Sequence, residues 1–351
     1  MGRFETGSFV ICLFIEMQIN LFCTIISFYR IKTAYALSEY ILAKKSQLNF
    51  YIGIPLYHKT KNDTYVLYKP SGITLGEMRI TEGMHPKDLF IKQTDKLTGL
   101  QEAQKGFNKQ LENYVNSSDP AKVKETLIAV VGETLAEPRS GSLEGVSDTV
   151  GVFVSDYSRE SGVINSLIDL SSKDYSSIMH SINVMALALK YAFHMNFSSI
   201  EAKLLGLCGL LHDVGKTKIN NEILTAPRKL TDEEFAEMKS HTILGYKILI
   251  ACKFNNKEIA ACALDHHEKI DGSGYPNGKT RISQISQIIS IIDCYEALTN
   301  DTRPYRSAMD AYNALSQIIM KDVVSGKFDK NLYANLIKSL GNLQVDSINI
   351  A

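Results

Sequence analysis

The sequence predicts a mostly α-helical protein, a helical bundle preceded by a small N-terminal α/β domain. Three observations carry this. From Asp174 onward, apolar residues recur three and four positions apart, the period of helices with one buried face. From Leu48 to Leu67 the chain instead shows short β-favouring runs, FYIGIPLY and TYVLY, split by the polar connector KTKND. Five of the eight histidines (His180, His212, His241, His266 and His267) fall within the apolar helical part.

Length and composition bound the rest. A chain of 351 residues is long enough for two domains, or for one large domain with an appendage. Its 45% hydrophobic and 22% charged residues are those of an ordinary globular protein. With 38 basic and 38 acidic residues the formal charge is zero, so no global field favours a nucleic-acid polymer or an anionic lipid surface. Small anionic ligands stay open, because a few local Lys and Arg suffice for them. The six cysteines form no CxxC pair and have mostly apolar neighbours, which predicts buried, reduced thiols and a cytoplasmic location.

Taken in order, Phe9 to Phe28 is apolar but broken by Glu16, Gln18 and Asn20. A charge at the centre of a spanning helix costs on the order of 3 kcal/mol. The stretch therefore reads as two buried segments, or as an over-extended start, rather than as a membrane anchor. Residues 30–46 read as a helix. The strands of the α/β domain follow and continue to Leu89–Lys92, with His58 and His85 in polar loops as surface residues without partners. Residues 1–95 thus form an N-terminal regulatory or sensor-like region. Residues 96–173 form a helical connector of successive helix-forming runs, interrupted by the loop EPRSGSLEG. Residues 174–351 form the catalytic domain.

Within that last region the helical period decides which side chains point inward. Thr231 and Glu234 form a capping box that starts a helix, along which Phe235, Met238, His241, Gly245 and Ile248 share a face. Ile259, Cys262 and Ala263 place His266 on a buried face. Ile282, Ile285 and Ile289 do the same for Asp293, and Asn183, Val184 and Leu187 for His180. Five inward imidazoles with Asp213 and Asp293 are costly to bury without partners. Imidazole and carboxylate suit first-row divalent metals. Seven such groups are too many for one ion and about right for two that share a bridging carboxylate. A centre of two metals is a standard solution for phosphoester hydrolysis, because it generates a nucleophile from water and clamps attacking and leaving oxygens.

Four segments in order resemble the HD-GYP family, a branch of the HD-type metal-dependent phosphohydrolases. They are LLHDVGK, MKSHTILGYKIL, DHHEKIDGSGYPNG and IIDCYEALTNDTRPYR, and the resemblance covers roughly Asp174 to Ser325. It implies an all-α HD-type catalytic bundle, an iron site in which manganese also works, and hydrolysis of cyclic di-GMP to pGpG or on to GMP. It further implies that His180, His212, Asp213, His241, His266, His267 and Asp293 are metal ligands, with Asp213 bridging. Lys216 matches the lysine near the scissile phosphate, and with Asp213 forms the expected catalytic pair. Arg303 and Arg306 match cationic positions on the substrate phosphates. Gly274, Tyr275 and Pro276 match the loop bordering the substrate.

The chain departs from the family pattern in three places. Where members with a third metal carry a glutamate, this chain has Ser176, and a hydroxyl is a poor replacement for a carboxylate ligand, so two metals are expected. The segment between Pro276 and Asp293 is about two residues shorter than is usual in the family the motifs resemble, and Thr302 is inserted before Arg303. These departures keep two alternatives open: a slow, metal-bound cyclic di-GMP sensor, and an enzyme for another cyclic dinucleotide. The expected partners are cyclic di-GMP and a second copy of the chain or a signalling protein.

Overall fold

The computed structural model describes residues 39–78, 85–136, 138, 142–156, 164–165, 167–168, 176–252, 256–300 and 309–341. The expectations for residues 9–28, for the Thr302 insertion and for Arg303 and Arg306 lie outside the described residues.

The expected fold class is the one observed: mostly helical, with a small strand region at the N-terminal end. Four short strands, β1 (Tyr40–Leu42), β2 (Leu56–Lys59), β3 (Tyr65–Lys69) and β4 (Phe90–Lys92), form one sheet in the order β1-β4-β2-β3. All neighbouring pairs are antiparallel, with Tyr40 opposite Lys92 and His58 opposite Val66. The β2–β3 hairpin closes where KTKND was expected to turn, and Asp63 takes the left-handed conformation there. Tyr40 stacks on Tyr65 at 4.2 Å and Tyr65 meets Phe90 edge-on, a cross-strand aromatic cluster that holds the thin sheet together.

Two readings of this region need correction. Residues 40–42 are a strand, not part of a helix, because pairing with β4 outweighs the helix propensity of an isolated short run. His85 is not without a partner, since its Nδ1 lies 2.7 Å from the Tyr68 hydroxyl.

Helices α1 (Lys96–Asn116) and α2 (Pro120–Ala136) have two apolar faces and two neighbours. Ala103, Phe107 and Val130 join Leu56, Leu89 and Ile91 beneath the sheet. Leu111, Val115, Val123, Leu127 and Val131 face the large helical core instead. Helix α3 (Ser142–Asp156) begins within the segment expected to be a loop; Val146, Val150 and Phe153, spaced by three and four residues, supply the buried face that keeps it helical.

The large core draws on α4 (Ser177–His194), α5 (Ser199–Leu211), α8 (His241–Ala251), α9 (Lys257–Asp265) and α10 (Gln284–Thr299), while the short helices α6 (Asn221–Leu224) and α7 (Asp232–Lys239) lie outside it. After these come a helix running from Ala311–Asn313 through a π-helical stretch, Ala314–Ile319, to Met320–Val324, and finally Lys330–Leu340. Capping explains several boundaries. Ser198 with Glu201, and Thr231 with Glu234, form capping boxes, while Ser176, Asn256 and Ser283 each accept a bond from a first-turn amide. One expected helix is two: Ser240 separates α7 from α8, and Phe235 is 48% exposed rather than part of the buried stripe. Cys208, Cys252 and Cys262 are buried free thiols. No described helix is long and apolar enough to cross a membrane.

Candidate metal centre

Each of the seven expected ligands sits where a helix ends or its inner face meets a neighbour. His180 lies one turn into α4, and His212 caps the end of α5. Asp213 follows at once and starts a 3₁₀ turn, Val214–Lys218. His241 opens α8, His266 closes α9 with His267 beside it, and Asp293 lies midway along α10. The 3₁₀ turn lies flat against α8 because both contact points are glycine. A Cβ on Gly215 would stand 1.8 Å from the His241 carbonyl oxygen, and one on Gly245 would stand 3.3 Å from the Gly215 nitrogen.

The side chains converge in two groups. His180, His212 and Asp213 form one, His241, His266 and His267 form the other, and a third set, His212, His266 and Asp293, joins the two. Asp213 stands between them and divides its oxygens. Oδ2 is 3.4 Å from His180 Nε2 and 3.2 Å from His212 Nε2, while Oδ1 is 3.3 Å from His241 Nε2 and 3.8 Å from His266 Nε2. Asp293 reaches across as well, with Oδ1 3.0 Å from His180 Nε2 and Oδ2 4.0 Å from His267 Nδ1.

The tautomers show what this arrangement requires. Nδ1 of His212 meets the Gly209 carbonyl at 2.7 Å, that of His241 the Met238 carbonyl at 2.6 Å, and that of His266 the Ala263 carbonyl at 3.0 Å. A carbonyl can only accept, so in each ring Nδ1 carries the proton and a neutral ring leaves a lone pair on Nε2. The Nε2 atoms of His241 and His266 are nevertheless 3.3 Å apart, and Asp213 Oδ1 is buried with no hydrogen-bond donor. Lone pairs and a carboxylate oxygen converging in a buried space repel one another unless a cation lies among them. The donor set therefore fits divalent metal.

The electrostatics agree. Burial would raise the Asp213 carboxyl, but its neighbours His212 and Lys216 hold it well below the usual carboxylate range. Asp293 is pulled down against its burial in the same way, chiefly by His180. Burial depresses His241 and His266 and takes His267 down to about 3, so these rings are neutral and free to ligate. For His180 burial also acts downward, and the Glu296 carboxylate overcomes it.

Glu296 is the principal site residue that motif reading missed. Its Oε2 meets His180 Nδ1 at 2.5 Å, and its Oε1 accepts from Asn183 and Asn300, each at 2.8 Å. A carboxylate on the far nitrogen of a metal-ligating imidazole orients the ring and raises its basicity. The signal was present in the sequence: Glu296 follows Asp293 by three residues, on the same face of an apolar helix. Glu296→Gln should lower metal affinity by about 10- to 100-fold while leaving helical content unchanged. Titration of the apoprotein with divalent metal, followed by calorimetry, measures this, and an unchanged affinity would rule out the orienting role.

Glu268 was also overlooked. It is buried, and its two oxygens accept from the Asn277 and Lys279 amides at 2.7 and 3.0 Å. The Tyr275 amide donates to the His267 carbonyl, and Gly274 lies so close to Glu268 and Lys269 that a Cβ would meet backbone at 2.4 Å. Asp271 and Gly272 form the expected turn, with Gly272 at φ +81° and Asp271 accepting from Ser273. This stapling stacks Tyr275 on His267, their ring centroids 4.7 Å apart.

A cavity of about 670 Å³ opens beside the metal-ligand groups. Lys216, His241, His267, Tyr275, Phe235 and Arg228 are among the residues that line it. Gly274 and Pro276 are not among its lining residues; Pro276 follows a cis peptide bond. The Lys216 ammonium is bonded to Asp213 Oδ2.

A helical bundle whose inner faces gather five imidazoles and two carboxylates, one of them shared, has the donor set of a divalent-metal centre. Residues 163–332 match the family described as HD domain. The chain is 32% identical over 204 residues to the cyclic di-GMP phosphodiesterase PA4108 of Pseudomonas aeruginosa, an overlap of 58% of this chain and 48% of that protein. It is 31% identical over 172 residues to the 3'3'-cGAMP-specific phosphodiesterase 1 of Vibrio cholerae serotype O1, covering 48% and 39%. It is 35% identical over 158 residues to the cyclic di-GMP phosphodiesterase of Thermotoga maritima, covering 44% and 42%. The chain thus spans less than half the length of these curated relatives. Among solved structures, Bd1817, a HDG"Y"P protein from Bdellovibrio bacteriovorus, shares the fold with a TM-score of 0.58 at 18% identity, covering 86% of this chain and 99% of that one.

Proposed function

We propose that this protein is a metal-dependent phosphodiesterase that opens cyclic di-GMP to linear pGpG or on to GMP, with two divalent ions, iron preferred and manganese competent. The observation that carries the reading is the divided carboxylate of Asp213, one oxygen toward His180 and His212 and the other, buried and undonated, toward His241 and His266. Two bound ions would supply Lewis acidity and lower the pKa of water between them.

The chain's own residues do the rest. His180, His212, Asp213 and Asp293 would hold one ion, and His241, His266, His267 and Asp213 the other. Lys216, on the cavity wall next to Asp213, would neutralise charge developing on the phosphorus oxygens. Tyr275, held against His267, would border the substrate, and Gly274 and Pro276 would shape that border. Arg303 and Arg306 are proposed to meet the substrate phosphates. Ser176 supports a count of two ions, because its hydroxyl already accepts from the Met179 amide as the cap of α4. A second cyclic dinucleotide is favoured by one specific finding: relatives of comparable identity include 3'3'-cGAMP-specific enzymes.

The test is turnover by anaerobically purified, metal-loaded protein, with elemental analysis of the same sample. Formation of pGpG from cyclic di-GMP at about two metal equivalents per chain is expected. Three equivalents would overturn the metal count. Tight binding without product would replace the enzyme with a sensor.

A further inference from the structure

Two residues that line the cavity, Phe235 and Asp232, have no role in the reading so far. Phe235 is 48% exposed. It meets Tyr275 edge-on, with ring centroids 6.5 Å apart, and Tyr275 in turn stacks on the ligand His267. The aromatic path therefore runs without interruption from the metal ligands to Phe235. Lys239 stands over both rings, 5.1 Å from Phe235 and 6.0 Å from Tyr275, which adds a cation to their shared rim. One helical turn before Phe235 on α7, Asp232 lines the same cavity. Residues three apart on a helix are surface neighbours, so ring and carboxylate form one face.

The structure assigns this face as a guanine subsite, in which Phe235 stacks the base and Asp232 reads its Watson–Crick edge. The assignment rests on the cyclic dinucleotide reading of the metal centre and adds the base that the enzyme selects. Protein sites that read an unpaired base combine stacking on an aromatic side chain with hydrogen bonds to the Watson–Crick edge. Guanine offers two adjacent donors on that edge, N1–H and the N2 amino group, and a carboxylate accepts both. Adenine offers the N1 acceptor and the N6 amino donor, so its N1 lone pair would face the carboxylate charge without a proton between them. A carboxamide reverses this preference, because it can donate to adenine N1 and accept from N6. Phe235 has no polar group and contributes by area alone, which makes it indifferent to the choice of purine.

Three measurements on the metal-loaded full chain decide the matter: kcat/KM for cyclic di-GMP, kcat/KM for cyclic di-AMP, and metal content. Phe235→Ala should raise KM for both substrates on the order of 10- to 100-fold at unchanged metal content and near-native kcat, and Phe235→Tyr should restore it. Asp232→Asn should lower the ratio of kcat/KM for cyclic di-GMP over cyclic di-AMP about ten-fold or more, a change that a merely structural role would not produce. Both positions are exposed, so the variants fold; circular dichroism checks this. A wild-type enzyme that turns over cyclic di-GMP while Asp232→Asn leaves the ratio unchanged overturns the guanine assignment alone. A wild-type protein that neither binds nor cleaves a cyclic dinucleotide overturns the underlying reading, and the assignment with it.

Discussion

Asp213→Ala should empty both metal positions at once, from about two equivalents per chain to near zero, and take hydrolysis to background. Asp293 also spans the two groups but comes only to 4.0 Å of His267, whereas Asp213 stands close to both. Its two oxygens face different imidazole groups, whereas loss of an outer ligand such as His267 leaves the other group intact. The helices should survive, because Asp213 contributes no apolar surface to the core and stands in a 3₁₀ turn after α5 has ended. Elemental analysis, turnover and far-ultraviolet circular dichroism on one sample separate the two effects. A variant that keeps full metal content would show that Asp213 does not bridge.

Gly215→Ala should be as damaging to the site by a purely steric route. The added methyl would stand 1.8 Å from the His241 carbonyl oxygen and 2.5 Å from the Gly245 nitrogen. Both are backbone atoms, so no side-chain rotation relieves the contact, and α8 would have to move away, taking His241 with it. Overpacking of this kind costs about 3 kcal/mol, which corresponds to a fall in Tm of roughly 6–12 °C for a domain of this size. Calorimetry should find that loss, together with weaker binding at the His241, His266 and His267 group. A native Tm with native metal content would mean that the turn and α8 are not closely packed.

The two predictions illustrate how far the site could be read without coordinates. That His180, His241, His266 and Asp293 point inward followed from apolar residues three and four positions away, because a helix repeats its face locally. The capping box at Thr231 and the turn at Asp271–Gly272 were legible for the same reason, since each is completed within a few residues. Phe235 was misassigned because the period continued through Ser240 as though the helix did, and no local signal marks a break that depends on how α7 leaves the bundle. The strand at Tyr40–Leu42 was misread because its only support is β4, about fifty residues later.

By itself, the sequence determined which chemical groups are buried and toward which side of their own helices they point. Both depend on composition and on the 3.6-residue period, which act within one helix. Only the tertiary structure decided which groups meet. It brought Glu296 to His180 across 116 positions of the chain and divided the oxygens of Asp213 between two imidazole groups. It also laid a glycine turn against α8 and set Phe235 edge-on to Tyr275. Those meetings depend on how helices cross and how loops return. Crossing is set by the ridges and grooves of two surfaces packed together, and no single segment carries that information.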